Sequence, residues 1–305
     1  MLHVPVLIEE VLQYLHPQSN ENFVDCTVGE AGHTLEILKQ IQPGGKVIGI
    51  DLDEHQVANS TLSTKEFQER VVLVHDSYAN ITDILNKKNF KPVHGILLDL
   101  GMSSWQLERS SRGFTFSKNE QLDMRYDIEN TLTAHIIVNE YPEKQIETIL
   151  DEFGEEKFAR KIASAIARVR KIKKIESTFE LIDIIASAIP TFARRKSQGL
   201  SAWEKSQVGA KTFQALRIAV NDELGALSEG LQKGFEALEQ GGRMAVISFH
   251  SLEDRIVKRF YKTKEKEGKA KLINKKPITA GKEEIKENPR ARSAKLRVIE
   301  KMVTA

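Results

Sequence analysis

Asn22-Phe-Val-Asp25-Cys-Thr-Val-Gly29-Glu-Ala-Gly32-His33 opens with a short, partly β-branched run. It turns at two glycines and continues into helical spacing over His33–Gln40. Lys46–Asp51 (KVIGID) is then a continuous apolar run ending in an acid, the pattern of a strand buried in a parallel sheet. Val71–His75 (VVLVH) and Gly95–Leu100 (GILLDL) read as a third and a fourth strand. Glu54–Leu62 and Ile81–Lys88 supply helical spacing between them. Strands alternating with helices over short connections predict an α/β, doubly wound, mostly parallel sheet of Rossmann-like type.

Upstream, residues 6–15 (VLIEEVLQYL) have helical periodicity. Downstream the alternation stops. From about Arg112 to Gln207 no strand pattern occurs, and Gln145–Leu150, Phe158–Val169 and Phe179–Ala188 have helical spacing. The α/β pattern resumes with one long helix over Thr212–Leu238, a strand at Arg243–Phe249 (RMAVISF) and a helix at Leu252–Tyr261. Two last strands are expected near Ala270–Thr279 and Ala294–Lys301. The expected organisation is a core in two parts, 1–108 and 211–305, interrupted by an all-helical insertion at 109–210. Residues 262–292, rich in Lys, Glu and Gly, are expected to be exposed and mobile.

The chain of 305 residues is 40% hydrophobic and 29% charged, with a formal net charge of +2, as for an ordinary globular protein. The whole molecule is therefore no polycation, and its positive charge is clustered instead. Cys26 is the single cysteine, which excludes an internal disulfide and a cysteine-built zinc site. The start has acids within its apolar stretch and no basic leader. No apolar run is long enough to span a bilayer, so the cytosol is the expected location.

Gly29 and Gly32 bracket the turn after the first strand, where glycine permits close approach of backbone to ligand. The G-x-x-G spacing departs from the dinucleotide fingerprint. Asp51, nineteen positions after Gly32, ends the second strand, and a carboxylate there can accept both hydroxyls of a ribose. Asp53 is the alternative. His33 reads either as a ligand contact or as a helix-start residue. Tyr78 reads either as a stacking partner for an adenine or as a core tyrosine. Asp99 ends an otherwise apolar strand, and an acid there is costly unless it is paired or used. Ligands of doubly wound sheets lie outside the carboxyl ends of the strands, so Asp99 is expected to face the same crevice as Asp51. Gly101 and Ser103-Ser104 leave room for a substrate, and Asp99, Ser103 and Ser104 are the candidate catalytic residues. An acid followed by a tight turn suits transfer of a methyl group to an amine, with S-adenosylmethionine as donor. The work is then mainly alignment of the reactants, and no metal is required.

Several blocks together resemble the bacterial 16S ribosomal RNA cytosine-N4 methyltransferase family, RsmH or MraW. They are His3-Val-Pro-Val-Leu7, Asp25–Thr34, Leu97–Gln106, Arg112-Gly-Phe-Thr-Phe116 and Leu122-Asp-Met-Arg125. Lys211–Leu224 (KTFQALRIAVNDEL), Gly241–Lys258 (GGRMAVISFHSLEDRIVK) and Asn288–Arg297 (NPRARSAKLR) complete the set. The resemblance implies a class I methyltransferase core with a helical insertion. It implies S-adenosylmethionine held at Ala31, Gly32, His33, Asp51, Tyr78, Asp99 and Gln106. The implied substrate is a cytidine of the small-subunit RNA, methylated on N4 in the decoding region. This chain departs from the family pattern at Glu30, Trp105, Glu120-Gln121 and Val208-Gly209-Ala210.

For RNA, the expected contacts are Arg290 and Arg292, with Trp105, Phe114 and Phe116 as stacking surfaces for an extruded base. Core packing is the competing role for both phenylalanines. Basic runs also occur at Arg168–Lys174, Arg194-Arg-Lys196 and between Arg255 and Arg297. In SFHSLEDR, His250 and Glu253-Asp254 are expected near the active site with no chemistry assigned, and Ser251 with Asp254 is expected to cap a helix. Four alternatives stay open: an NAD-dependent oxidoreductase, a methyltransferase of another RNA, one of DNA, and a non-catalytic ribosome-assembly factor. The oligomeric state, a homodimer included, stays open too.

Overall fold

The computed structural model describes residues 5–190 and 201–303. The start of the His3–Leu7 block and the basic run Arg194–Lys196 lie outside the described residues. The chain forms two compact units: Met1–Gly101 with Leu224–Ala305, and Met102–Glu223.

The first unit is built on a seven-stranded sheet. In chain order its strands are β1 (Phe23–Asp25), β2 (Val47–Asp51), β3 (Val71–His75), β4 (Gly95–Asp99), β5 (Arg243–Ser248), β6 (Ala270–Leu272) and β7 (Lys295–Lys301). Their spatial order is 3-2-1-4-5-7-6. β1 to β5 pair in parallel, and β7 runs antiparallel between β5 and β6. β1 lies between β2 and β4, so the strand order reverses there, and that switch point opens a crevice at the carboxyl edge. Val24, Ile48, Ile96 and Val246 pack on one face, while Phe23, Val47, Leu97 and Ile247 pack on the other. Burial on both faces is why these strands read as continuous apolar runs rather than alternating ones. The helices that cover the sheet include α1 (Ile8–Leu15), α2 (Gly32–Gln40), α3 (Glu54–Ser63) and α4 (Ile81–Lys87).

The second unit is helical: α5 (Ser104–Glu108), α6 (Ala134–Glu140), α7 (Glu143–Gly154), α8 (Ala159–Arg170), α9 (Thr178–Ala188) and α10 (Ala202–Asn221). Its own core gathers Ile137, Leu150, Ile162, Ile166, Ile185 and Leu216. Within α8 and α9 the buried residues recur three and four apart, as one face of a helix requires. Asn221 ties two distant segments of this unit: its side chain donates to Met124 O and accepts from Tyr126 N, both at 2.8 Å.

The long helix expected over Thr212–Leu238 is two helices. α10 ends at Asn221, Asp222 turns left-handed at φ 47°, and α11 follows at Glu223–Ala237. Both sides keep helical spacing, so periodicity alone hides the break. The strand expected over Ala270–Thr279 is confined to Ala270–Leu272, with one isolated bridge at Ile278. Residues 262–292 are structured: α12 (Ser251–Lys266) runs past Tyr261, β6 joins the sheet, and α13 (Lys282–Glu287) follows. Leu7 N donates to Glu284 Oε1 at 2.7 Å, which anchors α13 beside the start of α1.

Candidate active site

β1, β2 and β4 each deliver an aspartate to the carboxyl edge of the sheet. Asp25 is 2% exposed. It accepts from Thr34 Oγ1 at 2.7 Å and from Thr27 N at 3.2 Å. Burial still pushes its carboxyl up to about 6, against the pull of those two donors. Asp51 accepts one backbone N–H on each oxygen: Gly29 N on Oδ2 and Asp53 N on Oδ1, both at 2.9 Å. Burial, helped by the charges of Asp53 and Asp25, raises it to about 7. Asp99 is raised well above the ordinary carboxylate range by burial first, then by the charges of Asp25 and Glu253.

The turn after β1 is tied to β2 by the Asp51–Gly29 bond. Gly29 is left-handed at φ 52°, and a Cβ there would meet only Thr27 O at 3.8 Å. Backbone is thus open to approach by a ligand. Ala31, also left-handed, starts α2 without a side-chain cap. The first-turn N–H groups of that helix therefore receive no cap from the side chain at its N-cap position. His33 is 5% exposed, and its Nε2 lies 3.9 Å from Asp99 Oδ2.

Asp99 N donates to Thr27 Oγ1 at 2.7 Å, and Leu100 N donates to Ile247 O at 3.0 Å. The side chain of Asp99 remains 24% exposed, yet its Oδ1 is buried with no hydrogen-bond partner among the described residues. Next to it, Gly101 turns at φ 102°, and a Cβ there would come within 3.3 Å of the Phe249 ring. Phe249 belongs to the loop after β5. The 3%-exposed Glu253 fixes that loop by accepting from Phe249 N at 2.8 Å and His250 N at 3.2 Å. The capping box of α12 is therefore His250 with Glu253, one residue earlier than the expected Ser251 with Asp254. Asp254 is engaged elsewhere, with Arg297 at 2.7 Å. The extended backbone at residue 250 decides which residue caps, and composition does not reveal it.

Ala31, Gly32, His33, Asp51 and Asp99 thus share one edge of the first unit. Asp53 caps α3 by accepting from His55 N at 3.1 Å, which leaves Asp51 as the strand-end acid. Tyr78 is half-buried in the same unit, with its ring against Gly230 of α11, where a Cβ would come within 2.5 Å. By sequence Asp25 is given no role, and Glu253 is placed near the active site without a chemical one. An acid ending the apolar Phe-Val-Asp run was the available signal for Asp25. For Glu253 the signal was its place just after the fifth strand, while its hold on the 249–250 backbone is tertiary.

Ser103, Ser104, Trp105 and Gln106 belong to the second unit. Ser103 and Gln106 form a capping box: Gln106 N donates to Ser103 Oγ at 3.1 Å and Ser103 N to Gln106 Oε1 at 3.0 Å. Trp105 is half-buried, and the Arg112 guanidinium lies 5.4 Å from its ring centroid. Phe114 is 5% exposed and stacks on Tyr126 at 5.4 Å, so its ring is used in the core. Phe116 is half-buried, edge-on to Phe213 at 5.5 Å. In the first unit, Arg292 is exposed and Arg290 is half-buried.

Comparison with known proteins adds the following. A family model described as the MraW methylase family matches residues 1–302. A protein of Heliobacterium mobile named ribosomal RNA small subunit methyltransferase H is 42% identical, over 98% of this chain and 99% of its own length. Proteins of the same name from Acetivibrio thermocellus and Geobacter sp. are each 44% identical over 98% of this chain, and the matches cover 99% and 98% of their own lengths. A solved S-adenosylmethionine-dependent O-methyltransferase from Thermotoga maritima aligns with 98% of this chain and 65% of its own at a TM-score of 0.41 and 10% identity. That likeness is too distant to add to the sequence matches.

Proposed function

Because the chain belongs to the MraW methylase family, with the class I methyltransferase core, we propose that it methylates small-subunit ribosomal RNA from S-adenosylmethionine. The finer reading is transfer to the exocyclic N4 of a cytidine in the decoding region of 16S RNA. The observation that carries it is Asp99 at the end of β4, with Oδ1 lacking a hydrogen-bond partner among the described residues, at the edge that also holds the open turn at Gly29.

The residues of the crevice fit the cofactor. Asp25, Asp51 and Asp99 stand close enough that each raises another or is raised by it. A cationic ligand relieves that repulsion, and a pyrophosphate increases it. This favours a sulfonium compound over NAD, consistent with the G-x-x-G spacing. Asp51 would hold the ribose hydroxyls, its oxygens having lone pairs beyond the two backbone N–H bonds. The open backbone at Gly29 and the uncapped start of α2 would hold the amino-acid end, while Gly32 lets α2 start close against Pro5. Bound S-adenosylmethionine supplies an electrophilic methyl group and the positive charge that draws Asp99 to its ionised form. The Asp99 carboxylate, through its solvent-reached side, would then accept a hydrogen bond from the substrate amine, orient the nitrogen lone pair and take up the proton released as the methyl group passes from sulfur to nitrogen. His33 borders Asp99 at Oδ2.

For the RNA, the proposed contacts are Trp105 and Phe116 for an unstacked base and Arg292 with Arg290 for phosphates. Phe114 is left out because its ring is occupied. The proposed substrate, a ribosomal subunit, places the work in the cytoplasm, and no described helix is long and apolar enough to cross a membrane. Ser103 and Ser104 remain proposed substrate-side residues, Ser103 through the helix start it caps. Gln106 remains a proposed cofactor contact.

The test is transfer from labelled S-adenosylmethionine to small subunits that lack the modification, read by nucleoside mass spectrometry. Label recovered as N4-methylcytidine is expected. Bound cofactor without transferred label would sink this substrate and leave a methyltransferase of another nucleic acid or a non-catalytic assembly factor.

A further inference from the structure

α12 begins directly after β5, whose Ile247 is in register with Asp99 of β4. Its first turn therefore stands at the edge of the sheet that carries the reaction site. From there it presents one face inward: Leu252, Val257 and Tyr261 are buried, and Ile256 and Phe260 are half-buried. The outward face carries Arg255, Lys258, Arg259, Lys262 and Lys266, all exposed. These span about 16 Å at 1.5 Å per residue.

This face is costly as helix design. The pairs 255/259, 258/262 and 262/266 are like charges four apart, each destabilising. The macrodipole favours cations only in the last turn, so it explains Lys266 and not Arg255, Lys258 or Arg259. The acids of the helix do not offset the cations. Glu253 is buried on the 249–250 backbone and Asp254 pairs with Arg297. Glu265 alone is an exposed acid in α12. Lys258, Arg259, Lys262 and Lys266 make no ion pair among the described residues. A chain of net charge only +2 has thus gathered cations on one face.

We infer that the exposed face of α12 is a track for the phosphate backbone of the RNA substrate, leading away from the reaction site. The inference rests on the RNA-methylation reading above and extends it to a surface. A protein partner fits less well, because lysine is depleted and aromatic residues are enriched in the cores of such interfaces. A membrane surface fits less well too, because the apolar face of this helix is already buried in the sheet.

The test uses the full chain with Lys258→Gln, Arg259→Gln, Lys262→Gln and Lys266→Gln combined, since glutamine keeps helix propensity. Binding to the decoding-region RNA is titrated over a range of KCl. The logarithmic salt slope should fall by about 3, at roughly 0.7–0.9 per lost phosphate contact, and affinity at low salt by at least about tenfold. Cofactor affinity and thermal midpoint should hold or rise, and transfer should suffer in KM rather than kcat. An unchanged slope in the variant, while the parent binds normally, overturns the inference alone. Loss of transfer to whole subunits with an unchanged slope on naked RNA also overturns it, in favour of a protein partner. Absence of salt-dependent RNA binding by the parent overturns it together with the functional reading.

Discussion

Asp99 is held at the cost of fold stability. Its Oδ1 is buried without a hydrogen-bond partner among the described residues, and the carboxyl faces the charges of Asp25 and Glu253. Asp99→Ala should therefore leave the thermal midpoint unchanged or raised, while methyl transfer falls by about two orders of magnitude or more. Single-turnover transfer and a melting curve on the same sample check both halves, and near-normal turnover would remove Asp99 from the chemistry. The raised carboxyls also set a pH dependence. An unfolded aspartate titrates near 3.9, whereas Asp25 and Asp51 titrate at about 6 and about 7 in the fold. Between those values the folded chain holds more protons, so stability without cofactor falls as pH rises from about 4 to about 7. Affinity for the cationic cofactor should move the opposite way and rise through pH 6–7. Asp51→Asn should flatten both profiles at their upper end, and unchanged profiles would deny Asp51 its place.

At the level of elements, caps and close approaches decide where structure starts and how strands pack. Ser177 and Glu180 form a reciprocal capping box at the start of α9, whose inner face lies in the core of the second unit. Ser177→Ala should lower stability by about 1 kcal/mol, read as a shift in denaturant midpoint. Gly95 opens β4 against β1, and a Cβ there would lie 2.1 Å from the Phe23 ring. Gly95→Ala should cost roughly 1–3 kcal/mol through overpacking. A neutral result would mean that Phe23 can change rotamer freely. α9 was legible in sequence because one buried face imposes a period, and β4 because burial on both faces imposes an apolar run. The capping of α12 and the break at Asp222 were not, since each turns on one residue's dihedral angles, which the period does not encode.

For the whole molecule, the question is how the charge is distributed. Several basic residues of the Arg255–Arg297 segment are structural: Arg297 pairs with Asp254 and Lys264 is largely buried. Arg292 is exposed. Arg292→Glu should weaken RNA binding at moderate salt by several-fold with no change in melting temperature. Arg290→Glu should weaken binding and also lower the melting temperature, because Arg290 is half-buried. Equal RNA affinity for both variants and the parent at moderate salt would confine RNA contact to other surfaces.

Strand runs, glycine turns and the acids at Asp51 and Asp99 were readable from the chain, because burial on two faces and a strand end leave a local imprint on residue type. The family followed from several ordered blocks. Strand order already put Asp51 and Asp99 at one crevice; the structure alone added the charge of Asp25 there and of Glu253 on Asp99, from a strand and a helix far apart in sequence. It also separated structural arginines from exposed ones and gave Phe114 to the core. The reason is physical: pKa shifts, ion pairs and burial depend on distances in space, and separation along the chain does not set those distances.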